Sequence, residues 1–406
     1  MEAAATTAIA PNRAERAPPP IPFDAARLDA LMEQAGIDAL VVTSKHNIQY
    51  LLGGYRFFFF DHFDAIGVSR YLPALVYVKG DPERAAYFGH PMESYEHELN
   101  RFWVPAFSGS ARMSTDGIEA AIERLTALAP NAKRIGIERA FLPADAETTL
   151  RKGLPQAQFV EAQLPLERLR AVKTPQELES LRRASDLVVD AMLAVIAGAK
   201  PGATKLDLVE ALRREEVNRG LTFEYCLITA GTSLNRAPSD QILRDGDILS
   251  LDSGGNYKGY IGDLCRMGIF GAPDAELEDL LGEVDEIQQA ARRPIRHGAR
   301  GGEVFAAAET LTRASPHRNS LEFVAHGMGL ISHEAPRLTD RGPVPYPAHD
   351  ADLPLQTGMV LSIETTILHP RRGFIKLEDT VAVTENGCEG FGDRARGWNR
   401  CGETTA

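Results

Sequence analysis

Two regimes of hydrophobic patterning divide the chain. In the first, helical spacing alternates with short apolar runs. Leu28, Leu31 and Met32 share one helical face, and Gly36 supplies a stop. Ala39–Val42, Ala74–Val78 and Ala85–Phe88 read as short strands, Ile118–Leu128 as an amphipathic helix, and Arg134–Ile137 as a further buried strand. This alternation predicts an α/β domain over residues 23–165. Residues 1–22, rich in Ala and Pro, read as a poorly ordered tail.

The second regime starts at Thr174. Thr174-Pro175 followed by Glu177 reads as an N-cap, a first-turn proline and a first-turn acid. Leu178, Leu181, Ala184, Leu187, Val188 and Met192 form one apolar face, which Gly198 and Pro201-Gly202 end. A second helix follows over Lys205–Gly220. From Leu221 to Val383 the pattern is mostly strands and turns, with one helical stretch near Glu276–Arg293.

Within that strand-rich part the acids are paired. In ILSLDSGGNYKGYIGDLCRMGIF a turn centred between Tyr257 and Lys258 would set Asp252 opposite Asp263. In MVLSIETTILHPRRGFIKLEDTVAV a turn centred on Arg371 sets Glu364 opposite Glu378, with Lys376 on the same face. Like charges facing each other are destabilising unless a cation sits between them. FVAHGMGLISHEAP supplies His326 and His333, and Gly327 and Gly329 allow close backbone approach. Taken singly, an aspartate in such a segment is usually a turn or surface residue. These acids, however, sit among Leu249, Leu251, Ile363 and Leu377, where burial without partners is costly. Four carboxylates and an imidazole form a ligand set for two divalent cations held close together.

Composition narrows the alternatives. The 406 residues are 44% hydrophobic and 25% charged, the balance of a soluble globular protein. A formal net charge of −12 argues against a nucleic-acid partner. The longest apolar runs, Leu72–Val78 and Ala191–Ala199, fall well short of the ~20 residues of a membrane span. Cys226, Cys265, Cys388 and Cys401 show no CxxC spacing, and the N-terminal residues lack a signal-peptide pattern. Both point to reduced thiols and a cytoplasmic protein.

LDSGGNYKGYIGDLCR, AHGMGLISHEAP, LSIETT and IKLEDTVAVTENG resemble the signatures of the creatinase/prolidase/methionine aminopeptidase family. GIDALVVTSKHNIQYLLGG is similar to that family's N-terminal domain. The resemblance implies an α+β architecture, with a pita-bread catalytic domain over residues 166–406 behind a smaller creatinase-like α/β domain. It implies two divalent metal ions, Mn²⁺ first with Zn²⁺, Co²⁺ or Fe²⁺ as alternatives, held by Asp252, Asp263, His326, Glu364 and Glu378. Glu364 would also act as general base, and His333 would contact the substrate carbonyl or its oxyanion. The implied reaction is hydrolysis of an amide bond in a dipeptide-like substrate by metal-bound hydroxide, as in Xaa-Pro dipeptidases and aminopeptidases.

Two departures affect substrate-facing positions. The family's SALPH-like segment is ITAGTSLNRAPSDQILRDGD here, Asn235 stands at the histidine position, and no histidine lies between Leu221 and Ile261. Lys376 replaces the usual arginine, keeping the charge but losing the bidentate fork. These favour, as the alternative, a creatinase-like or ectoine-hydrolase-like C–N hydrolase, or a lyase on the same metal scaffold. A non-enzymatic binding module is disfavoured because all five ligand positions are filled. The aromatic segment GGYRFFFFDHFDAIGVSRY (residues 53–71) reads either as a buried hairpin or, by resemblance to dimeric relatives, as a loop reaching the partner subunit's active site. On the second reading the protein is a homodimer, and Arg56 and His62 line the neighbour's substrate pocket.

Overall fold

The computed structural model describes residues 17–403, apart from the side chain of Asp64. Most of the expected N-terminal tail therefore lies outside the described residues. The chain divides into two compact units between Leu169 and Arg170.

The N-terminal unit runs α1 (Ala25–Ala35), β1 (Ala39–Val42), α2 (Lys45–Leu51), β2 (Ala74–Val78), β3 (Asp81–Phe88), α3 (Ser94–Glu98), β4 (Ala106–Ser108), α4 (Asp116–Leu128), β5 (Arg134–Ile137), α5 (Ala144–Gly153), β6 (Gln158–Glu161) and α6 (Gln163–Leu169). Its strands form one mixed sheet in the order β4-β3-β2-β1-β5-β6. Successive residues of a strand point to opposite faces, and here both faces are covered. Leu40, Val42, Leu75 and Tyr77 pack with Leu28 and Met32 of α1. Ala39, Val41, Ala74 and Val76 pack with Ile118, Ala121 and Leu125 of α4. That is why these strands read as continuous apolar runs.

The aromatic segment is not a hairpin. It contains a 3-10 helix over Phe60–Ala65, and Phe57, Phe60, Phe63 and Tyr71 form a small core of their own. Rings of this size satisfy their burial by edge and tilted packing, with Phe63 and Tyr71 centroids 4.9 Å apart, and need no strand pairing.

The C-terminal unit contains α7 (Pro175–Gly198), α8 (Lys205–Asn218), β7 (Thr222–Ala230), β8 (Ile248–Tyr257), β9 (Tyr260–Ile269), α9 (Ala275–Arg292), α10 (Gly301–Ala314), β10 (Leu321–Gly327), β11 (Val360–His369), β12 (Gly373–Val383), β13 (Cys388–Phe391) and β14 (Asn399–Arg400). The main sheet is ordered β10-β11-β12-β9-β8-β7. The α7 start carries the expected capping box, with Thr174 N–H donating to Glu177 and Glu177 N–H to Thr174 Oγ1. The helix α10, GGEVFAAAETLTRA, is additional to the expected elements.

One face of this sheet packs on helices. Leu249, Leu251 and Leu264 meet α7, and Leu361, Ile363, Ile375 and Leu377 meet α9. Alternation then sends Asp252, Asp263, Glu364, Lys376 and Glu378 to the other face. Behind them, Asp379 points back among the helices. It accepts from Arg266 at 2.8 Å and Gln288 at 2.6 Å, and pairs with Arg292 at 3.0 Å and with Arg396.

Candidate metal centre

The two hairpins deliver the acids in different registers. On β11 and β12, Glu364 stands opposite Glu378 and Thr366 opposite Lys376, the register the sequence predicts. On β8 and β9, Asp252 stands opposite Cys265, while Asp263 stands opposite Gly254. The expected direct pairing of Asp252 with Asp263 is therefore corrected to a diagonal one. The reason is the turn, whose two central residues are Lys258 and Gly259, at φ 53° and 98°. A two-residue turn with both φ positive matches the twist of the strands and shifts the register toward the C-terminus. The two carboxylates still share a face.

β12 lies beside β9, with Glu378 opposite Cys265, so the hairpins merge. β10 adds His326, which lies opposite Ser362. Possible ligand atoms fall within 4.8 Å of one another in three overlapping groups: Asp252–Asp263–Glu378, His326–Glu364–Glu378 and Asp263–His326–His333. All five sequence-predicted ligand residues, with His333, thus converge on one place. Asp252, Asp263, His326 and Glu378 are each at most 3% exposed.

The ionisation of this cluster follows from burial and partners. Burial pushes the Asp252 carboxyl up to about 6, against the pull of Lys376 and Arg236. Burial and the neighbouring Glu378 raise Asp263 further. Burial also opposes the charge on Glu378, but Lys376 and His326 outweigh it and hold that carboxyl below its ordinary value. Lys376 is the internal counter-charge. Its Nζ lies 2.6 Å from Asp252, 2.5 Å from Glu364 and 2.8 Å from Glu378. Burial disfavours the ammonium, yet those three acids raise it well above an ordinary lysine.

His326 Nε2 is buried with no hydrogen-bond partner, 3.8 Å from both Glu364 Oε1 and Glu378 Oε1. Its Nδ1 faces the Gly327 carbonyl at 3.4 Å. A carbonyl only accepts, so Nδ1 carries a proton and Nε2 is the ring nitrogen that faces the acids. A buried, unpartnered imidazole nitrogen beside carboxylates is the position a divalent cation satisfies. The residues therefore fit a metal.

His333 stacks on His326, with ring centroids 3.8 Å apart at 11°. Burial first, then the charge of His326, lowers its pKa to about 3, so it is neutral at physiological pH. Its loop is anchored by Glu334, which accepts from Arg170 at 2.8 Å and Lys173 at 3.1 Å. Gly327 is required beside it, because a Cβ there would lie 2.4 Å from the Ala335 carbonyl carbon.

Other expected contacts sit elsewhere. Asn235 is exposed, and its side chain accepts from Ala237 N–H of its own loop at 3.0 Å. The next residue, Arg236, points into the site instead. It pairs with Asp252 and lies over the Phe374 ring at 5.0 Å. Arg56 and His62 belong to the N-terminal unit, where Arg56 pairs with Asp61 and His62 is exposed beside Phe59.

Arg236 and Tyr225 are the site residues that sequence reasoning missed. The Tyr225 hydroxyl bonds to Asp263, and its ring lies over Gly254, where a Cβ would come within 2.4 Å of it. The Gly-Gly of LDSGGN was the available signal, a strand glycine marking close approach of another group. A cavity of about 1050 Å³ opens beside Glu364 and is lined by Arg236, Phe374, Thr366, Phe323 and Arg341.

Residues 179–385 match metallopeptidase family M24, and residues 25–172 match the creatinase/prolidase N-terminal domain. An uncharacterized peptidase of Bacillus subtilis, YqhT, is 25% identical over 368 residues, covering 89% of this chain and 95% of that protein. The Xaa-Pro dipeptidase of Pyrococcus furiosus is 26% identical over 265 residues, covering 64% of this chain and 73% of that protein. Among solved structures, dipeptidase PepE of Mycobacterium ulcerans aligns with a TM-score of 0.73 at 26% identity, covering 93% of this chain and 96% of that one.

Proposed function

Because the chain belongs to metallopeptidase family M24, we propose that it is a metal-dependent hydrolase of a small dipeptide-like amide, with Xaa-Pro dipeptides as the first substrates to test. The observation that carries this reading is the buried, unpartnered Nε2 of His326, grouped with Asp263, Glu364 and Glu378, with Asp252 joined to the same cluster through Asp263 and Glu378. Asp252, Asp263, His326, Glu364 and Glu378 would hold the metal, two ions by the family resemblance, and Mn²⁺ suits so oxygen-rich a set. Such ions polarise a carbonyl and acidify water.

The chain's own groups divide the remaining work. Glu364 borders the cavity, which supports a role for its carboxylate in taking a proton from an attacking water. His333 is neutral, and its Nδ1 lies 3.0 Å from the Ser332 hydroxyl. With that hydroxyl donating to Nδ1, Nε2 carries the hydrogen and can donate to a substrate carbonyl oxygen as negative charge develops there. The cavity of about 1050 Å³ is of a size compatible with a dipeptide-like substrate.

Arg236 favours one second reading. It lies next to Asn235, the position at which the family resemblance puts a histidine, and brings a cation to the cavity, so a non-peptide C–N substrate, or elimination on the same scaffold, is the alternative. A panel of Gly-Pro and Ala-Pro dipeptides with added Mn²⁺ separates them. Turnover supports the dipeptidase reading, and its complete absence with metal bound moves the assignment to the alternative.

We further propose a homodimer in which Arg56, His62 and the aromatic segment reach the partner's site. Mixing an Arg56→Ala subunit with an Asp263→Asn subunit should restore partial activity. A mixed dimer as inactive as its parents would sink the shared site.

A further inference from the structure

Arg236 lies in a loop without regular structure, yet the peptide groups on both sides of its Cα are tied down. The Asn235 carbonyl accepts from Lys205 Nζ at 2.6 Å, and the Arg236 carbonyl accepts from Ile228 N–H of β7 at 2.8 Å. Between these two anchors the direction of the Arg236 side chain is set, and it runs to Asp252 and the Phe374 ring.

Lys205 makes its bond against two opposing effects. It is 0% exposed, and the Asn235 carbonyl is the one hydrogen-bond partner of its ammonium among the described residues. It also opens α8, where the helix dipole disfavours a cation. Both work against stability, so what the bond supplies is the position of the loop.

The guanidinium thus placed is only partly used. Its Nη2 bonds Asp252, while Nε and Nη1 have no partner among the described residues and the side chain is 32% exposed. It lines the cavity that Glu364 borders. The other arginines of that wall, Arg313, Arg318 and Arg341, are exposed, as are Glu309, Glu322 and Asp340 beside them, so solvent screens that set. A half-buried guanidinium with open donors is a planar fork matched to a carboxylate.

We propose that Arg236 is a specificity-determining residue that binds a carboxylate of the substrate beside the scissile amide, and that Lys205 is the positioning residue that turns it into the cavity. The proposal deepens the metal-dependent reading above and rests on it. Asp252 and Glu364 are ligands on that reading, so bound metal neutralises them and leaves the guanidinium's charge to the substrate. The carboxylate is the C-terminus of a dipeptide or an acidic side chain, and the test separates the two.

The test is kcat/KM of the Mn²⁺-loaded full chain on Gly-Pro, Glu-prolinamide and Gly-prolinamide, which carry the carboxylate at the C-terminus, on a side chain and nowhere. Wild type should prefer one of the first two over Gly-prolinamide by about tenfold or more, mainly through KM, and which one identifies the source. Arg236→Met should shrink that preference to about threefold or less. Lys205→Met removes no cavity side chain and should shrink it likewise. A merely structural Lys205 would change the melting temperature and leave the ratio alone. Lys205→Gln carries that arm if Lys205→Met does not fold. A wild-type ratio near one, or a ratio that Arg236→Met leaves intact, would overturn the proposal, and a ratio that no Lys205 variant moves would overturn the part given to Lys205. If none of the three substrates turns over, the dipeptidase reading falls, and binding by calorimetry still decides. N-acetylproline or the α-amide of N-acetylglutamate should bind wild type about tenfold more tightly than N-acetylprolinamide, with the difference lost in Arg236→Met. Equal binding of all three would overturn the carboxylate site.

Discussion

Glu364 and Glu378 stand directly opposite each other on antiparallel strands, and Lys376 Nζ reaches both, at 2.5 and 2.8 Å. Two like charges in that relation are tolerated only because a cation lies between them. The pair therefore marks chemistry more than stability. Glu364→Gln keeps the shape and removes the proton acceptor. Turnover should fall by about 10²–10⁴-fold, with the fold unchanged by circular dichroism. A variant with near wild-type turnover would remove Glu364 from the role of general base.

His333 shares a possible ligand group with Asp263 and His326, but the proposed role as a carbonyl donor predicts a different outcome from a ligand's. His333→Ala should lower kcat by about 10²–10³-fold while bound metal is unchanged. Loss of metal from this variant would make His333 a ligand instead.

Asp379 immediately follows Glu378 yet faces the opposite way, holding Arg266, which is 0% exposed. Removing the acid leaves a buried cation without its partner. Asp379→Ala should cost about 3–5 kcal/mol in denaturant unfolding. A loss under about 1 kcal/mol would contradict the assigned role.

Glu216 lies on the helix side of β8, where Ser253 Oγ donates to its Oε1 at 2.8 Å and its Oε2 has no partner. Burial pushes this carboxyl up from 4.5 to about 7. The folded state therefore holds the proton more tightly than the unfolded one. Its contribution to stability is fullest below pH 4.5 and is lost as pH rises to about 7. Glu216→Gln keeps a neutral side chain at all pH values. It should flatten stability across that window, with a gain of up to about 3 kcal/mol over wild type above it. Parallel stability–pH curves for the two proteins would refute the assignment.

Legibility in the sequence followed the physics of each element. Ala39–Val42, Ala74–Val78 and Arg134–Ile137 were readable to the residue because strands buried on both faces are continuous apolar runs. The α+β layout, with a creatinase-like domain followed by the M24 domain, was carried by motifs in LDSGGN and AHGMG that need glycine for close approach. The Glu364–Glu378 register was recoverable because its turn is symmetric about Arg371. The Asp252–Asp263 register was not, because Lys258 takes a positive φ that side-chain identity does not announce. Asn235 and Arg236 exchanged roles for a similar reason. A loop without strand periodicity does not fix which of two neighbours faces inward, and the ion pair with Asp252 decided it.

The most direct test of the central claim is turnover of a Gly-Pro dipeptide by chelator-stripped protein, followed by titration with Mn²⁺. Activity should vanish on stripping and return as metal binds, with the melting temperature rising in parallel, because an ion that binds only the folded state stabilises it. Full turnover by metal-free protein, or metal binding that restores neither activity nor stability, would contradict it.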